Sequence, residues 1–121
     1  MDGKQTMAAL LRQLKPLPRS VAIEAVYLVV RCLSHGWTKD DFLTRTEAGT
    51  KLAYQQEAAE LVPGIISMIE HAEGMSVSLL PDPIRLRYKR QLTNSILASG
   101  GKNKVNRGEV DAALRELRRV A

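Results

Sequence analysis

Cysteine occurs once, at Cys32, so the chain cannot close an intramolecular disulfide. A lone thiol sits most easily in a reducing compartment, and the cytoplasm is the expected location. Aromatic residues are almost as scarce: Tyr27, Trp37, Phe42, Tyr54 and Tyr88 make up 4% of the chain. The core must therefore be aliphatic. No apolar run approaches the roughly 20 residues needed to cross a bilayer, and the longest, 26–30, is far shorter, so no membrane role is expected. The first apolar cluster, 7–11, is broken at Arg12, which does not fit the apolar stretch of a secretory signal.

The motifs of chemistry are missing as well. There is no glycine-rich phosphate loop after a strand, no serine-centred elbow, and no pair of carboxylates in an apolar setting. Cys32 and His35 have a C-x-x-H spacing, but with His71 they are the only Cys and His residues, too few for the four ligands zinc prefers. As a thiol and base the same pair lacks an orienting partner. These absences predict a non-enzymatic protein with no cofactor, no metal and no small-molecule substrate.

What is present is helical pattern. At 121 residues with 45% hydrophobic content, the chain fits one helical domain, 1–121, that needs no cross-link. In the stretch 20–35, the polar or half-polar Ser20, Glu24, Tyr27, Arg31 and His35 recur at spacings of four, three, four and four. They form one narrow stripe, and nearly all the rest of the circumference is apolar. Such a helix must be wrapped by others. The expected fold is all-α, a compact bundle of five or six helices around a buried central helix at about 20–35.

Before it, Met7, Leu10, Leu11 and Leu14 have helical spacing, and 16–18 holds two prolines that stop the helix. The short connection predicts that the first two helices are neighbours. Ser20 is the expected N-cap and Gly36 the expected stop. Thr38 with Asp41, and Thr44 with Glu47, have the capping-box spacing, which predicts a turn of helix at 39–43 and a longer helix from about 45 to 61. Pro63 would kink that helix or start the next, which ends at Gly74. The run 84–90 alternates strictly and also fits a strand paired with 76–80, but Ile84, Tyr88, Leu92 and Ile96 keep a spacing of four, which favours a helix opened by Asp82 and Pro83. Residues 99–106 read as a flexible basic loop before a C-terminal helix over 107–121.

Charge is unevenly placed. Residues 1–81 hold eight Lys and Arg against nine Asp and Glu, whereas residues 82–121 hold ten against four. The last third is thus the electrostatic footprint expected of a surface for nucleic acid or an acidic partner. Arg85, Arg87, Lys89 and Arg90, joined by Lys102, Lys104 and Arg107, are the expected phosphate contacts, and Tyr88 is the candidate for stacking on a base. The spacing of Tyr88 with Ile84 and Leu92 would equally make it a core residue. Arg115, Arg118 and Arg119 are explained by the dipole of their own helix.

No DNA-reading helix-turn-helix is present, because the helix after Gly36 would open with Lys39, Asp40 and Asp41, placing carboxylates against phosphate. Trp37 is expected first to close the core over the Gly36 turn; alternatively, with Phe42, it is a candidate anchor for a protein partner. The leading expectation is an accessory or regulatory protein that contacts DNA or RNA through its basic C-terminal third. The alternative is a protein interaction module, such as an adaptor, an inhibitor or a structural subunit, which could pair with a protein partner or with a second copy of itself.

Overall fold

A computed structural model describes the backbone of residues 3–45 and 52–98 and the side chains of 5–44 and 52–94. Within these residues the chain is all-α. Helices α1 (Gly3–Leu14), α2 (Arg19–His35), α3 (Lys39–Arg45), α4 (Ala53–Glu73) and α5 (Asp82–Ala98) follow one another, with a 3-10 turn at Val77–Leu79 between the last two.

Helix α2 is the centre, as its pattern requires. Val21, Ala22, Ile23, Ala25, Val26, Val29, Val30, Cys32 and Leu33 are buried, while the stripe through Arg31 and His35 faces water. It packs on α4, α5 and the 3-10 turn. Its start differs from expectation. The helix begins at Arg19 with Pro18 in the capping position and no side-chain cap, and Ser20 lies inside the first turn. Pro18 suits that place because its missing N–H is not needed there and its carbonyl accepts the Ala22 N–H at 3.0 Å. The end is as expected: Gly36 takes φ 67°, a conformation that costs a β-carbon-bearing residue free energy.

Helix α1 buries Met7, Leu10 and Leu14 at i, i+3 and i+7. It packs chiefly on α4 and α5, so the short connection to α2 does not make those two helices the principal neighbours. Thr38 and Asp41 form the expected reciprocal cap of α3, with N–H contacts of 3.0 and 3.2 Å. Thr44 does not open a second helix; its hydroxyl donates back to the Asp40 carbonyl at 2.9 Å, and Glu47 lies outside the described residues.

Pro63, expected to kink a helix or to start the next, lies inside a single helix, α4, that continues through it. A proline inside a helix costs about 3 kcal/mol. Here that cost is offset by an unbroken inward face of Ala58, Val62, Ile65, Ile66 and Ile69, all buried. Gly74, at φ 68°, ends the helix. The segment 76–80 is a 3-10 turn and 84–90 is helical, so no hairpin forms. Helix α5 starts at Asp82, with the Pro81 carbonyl accepting the Ile84 and Arg85 N–H groups at 3.0 and 3.1 Å. Asp82 is therefore the first helical residue rather than the cap, which leaves its carboxylate available for a side-chain partner. No helix among the described residues is long and apolar enough to cross a membrane.

Candidate interaction surface

Helix α5 lies with Tyr88 and Leu92 in the core and Ile84 half-buried beside them. That orientation decides where the basic residues go. Arg85 and Lys89, one turn apart, reach α2: Arg85 Nη1 donates to the Leu33 carbonyl at 3.4 Å, and Lys89 Nζ donates to Ser34 Oγ at 3.3 Å. Arg87 projects to the other flank, where its guanidinium meets Glu73 of α4 at 2.8 Å and lies 5.4 Å above the Tyr88 ring centre. Arg90 is exposed. Lys102, Lys104 and Arg107 lie outside the described residues.

The basic set expected from the sequence is thus divided. Arg85 carries an ion pair with Asp82, three residues before it, and Arg87 carries one with Glu73. Each cation therefore already faces a carboxylate of the same chain. Tyr88 corrects a sequence expectation outright: it is 0% exposed and cannot stack on a base without opening the core. Its hydroxyl makes no well-formed hydrogen bond, and burial, followed by the nearby Glu73 charge, pushes its pKa upward, with Arg87 acting the other way. Phe42 is also buried, so it is no exposed anchor; an apolar ring on a seven-residue helix has only the core in which to be covered.

Trp37 is half-buried beyond the Gly36 turn. His35 stacks on it at 4.7 Å between ring centres, and the Arg31 guanidinium lies 5.5 Å from its ring. Arg31, His35 and Trp37 form a cation-aromatic rim at the C-terminal end of α2. Positive charge there is favoured by the partial negative charge of the helix end. The backbone also closes in on this point: a β-carbon at Gly36 would lie 3.3 Å from Arg85 Nη1 and 3.6 Å from the Ser78 backbone.

Between the end of α2 and the first half of α5 runs an open groove of about 420 Å³. Leu33 and Ser34 line it on one side, and Asp82, Arg85 and Lys89, with the apolar Pro83 and Leu86, line it on the other. Burial disfavours the charge on Lys89 and lowers its pKa; the Arg85 charge lowers it further, and Asp82 works the other way. The 3-10 turn stands beside this end of α2. Its Val77 and Leu80 are buried, whereas Leu79 between them is 73% exposed. The Val77 N–H donates to Glu70 Oε2 at 2.9 Å, and Ser76 Oγ accepts the Ser78 N–H, which hold the turn in place.

Sequence reasoning missed Leu79 and Ser34. Leu79 was hidden in an apolar-looking run, and nothing local announces that a turn will point it outward. Cys32 and His35 do not converge. The thiol is buried and its pKa is pushed up to about 12 by burial, while His35 is exposed against Trp37. Among the described residues no group of three or more His, Cys, Asp and Glu side chains is placed to hold a metal ion. No family model matches the chain, and no curated protein or solved structure shows significant similarity to it.

Proposed function

We propose that this protein is a non-enzymatic, cytoplasmic protein interaction module, an adaptor, an inhibitor or a subunit of a larger assembly. Its docking end is where α2 stops, the 3-10 turn projects and α5 begins. The observation that carries this reading is Leu79: a large apolar side chain 73% exposed on a turn whose neighbours Val77 and Leu80 are locked in the core. Leu43 and Leu52 are exposed too, at 59% and 58%, but Leu79 is the most exposed of these. It follows Ser78, whose backbone lies with Arg85 at the Gly36 turn beside Trp37. Leu79 therefore adds an apolar side chain to an end that already offers a cation and an aromatic ring, the residue types of interfaces.

Phosphate binding fits this end less well. Arg85 and Arg87 face Asp82 and Glu73, and the cations divide between two flanks of α5. A phosphate-led surface needs several basic side chains turned the same way.

The test is recovery of tagged chain from its native host, with associated proteins quantified for the wild type and for Leu79→Asp. A partner retained by the wild type and lost from the variant, with unchanged helicity and melting temperature, supports the reading. An identical set of proteins from both, together with one monomeric size across concentration, defeats it. Tight salt-sensitive binding of random-sequence DNA or RNA, lost in Lys89→Gln/Arg90→Gln, would restore the nucleic-acid reading instead.

A further inference from the structure

Arg85 is held from two sides that differ in strength of hold. Its Nη1 is tied to the Leu33 carbonyl in a half-buried contact, which aims the guanidinium into the groove. Its Nη2 meets Asp82, whose side chain is 88% exposed. An ion pair so open to water is worth about 0–1 kcal/mol, so a second carboxylate arriving with additional contacts can take its place. Lys89 approaches the same groove one turn later, braced on Ser34. The wall beside these two cations is apolar, made by Pro83 and Leu86. The site therefore offers two positive groups about one helical turn apart, an apolar shelf beside them, and an internal carboxylate already occupying the guanidinium.

On the interaction-module reading, the geometry points to this groove as a receptor for an acidic, leucine-bearing peptide segment of a partner protein. One partner carboxylate displaces Asp82 from Arg85, a second meets Lys89, and the leucine lies on Pro83 and Leu86. Asp82 is then an internal competitor that keeps the slot filled until the partner arrives. The lowered pKa of Lys89 agrees with this, because an incoming carboxylate offsets the burial and the Arg85 repulsion that disfavour its charge. A nucleic-acid backbone suits the groove less. It brings no apolar side chain to the shelf.

The test uses the full chain and a fluorescein-labelled Glu-Leu-Glu-Glu-Leu-Glu peptide followed by anisotropy. Saturable binding is expected. Asp82→Asn removes the competitor and should tighten binding up to about fivefold, the equivalent of the pair it breaks. Lys89→Gln should weaken it several-fold, and Arg87→Gln, on the opposite flank, should leave it within twofold of the wild type, each estimated from the modest worth of exposed charges. Asp82 and Lys89 lie outside the core, so neither variant depends on the fold surviving a buried change. The proposal is overturned by absence of saturable binding, by affinities indifferent to both variants, or by a labelled oligothymidylate that binds more tightly and competes the peptide away. If the peptide fails while Leu79→Asp still releases a partner, the groove assignment falls and the interaction module stands. If both fail, both fall.

Discussion

The central helix makes two seams of different composition. Against α4 it meets Ala58, Val62, Ile65, Ile66 and Ile69, without one polar side chain among the buried residues of that helix. Against α5 it meets the apolar Tyr88 and Leu92, but Arg85 and Lys89 run along that seam and bond to Leu33 and Ser34. The dry seam supplies stability through area and packing. The α5 seam adds direction, because a hydrogen bond to one particular carbonyl fixes a helix along and around its axis where interchangeable methyl groups would let it slide. It also leaves charged groups at a surface where they can be used.

The largest test of that contrast is on the dry side. Ile66 is fully buried at the α4 face, and Ile66→Ala should cost about 2–5 kcal/mol in chemical denaturation at neutral pH. If Ile66→Ala destabilises no more than Arg87→Gln, the division between the seams is wrong.

The next effect is in alkali, and Cys32, on α2 itself, carries it. Its thiol titrates near 9.0 when unfolded and at about 12 when folded. Across that interval the native state keeps a proton that the unfolded state has lost, so stability falls as pH rises through about 9, by up to about 1.4 kcal/mol per pH unit. Tyr88, raised in the same sense, adds to the loss above its ordinary value of 10.0, whereas Lys89, lowered from 10.5, acts in the opposite direction. Melting temperatures measured from pH 8 to 11 should fall less steeply in Cys32→Ala than in the wild type. Equal slopes would show that the thiol does not titrate with unfolding.

Much of this architecture was legible in the sequence, and the reasons differ by element. Helix α2 announced itself because five polar positions at helical spacing define a face, and Gly36 and Thr38–Asp41 are stop and start signals whose chemistry is local. The helical state of 84–90 followed from Ile84, Tyr88 and Leu92 keeping step. Pro63 left a kink or a new start open for the same local reason. A proline's cost is visible in a short window, while the buried face that outweighs it is made by contact with α2. The candidate site was least legible. The pairings that decide it join Arg87 to Glu73, fourteen residues away, and Arg85 to Leu33, fifty-two away. Tyr88 and Phe42 each had a surface and a core reading in the sequence, and the fold uses both as filling.

Tyr88 also sharpens the comparison by a smaller amount. Among the described residues, its hydroxyl and Thr6 Oγ1 on α1 are buried without a well-formed hydrogen bond, although Arg87 and Glu73 lie close enough to the tyrosine oxygen to bias its protonation. An unsatisfied buried hydroxyl costs about 1–3 kcal/mol relative to a bonded one, so Tyr88→Phe keeps the ring and removes the penalty. The variant should be as stable as the wild type or more stable by about 1 kcal/mol, the reverse of what deleting a useful group does.

The smallest effect is expected at Arg87, and its smallness carries information. The guanidinium is 50% exposed while its partner Glu73 is 15% exposed, so the pair is buried on one side only. Exposed pairs contribute about 0–1 kcal/mol, and Arg87→Gln should fall in that range, shrinking further in salt. Glu73→Gln should match it if the pair is all that matters. A clearly larger loss for Arg87→Gln than for Glu73→Gln would mean that the guanidinium stabilises the seam through its packing over the Tyr88 ring as well, since only the arginine supplies that contact. The double variant separates the two: if the ion pair is the whole effect, adding Glu73→Gln to Arg87→Gln costs nothing more. In that case directional bonding belongs to the groove side of α5 alone.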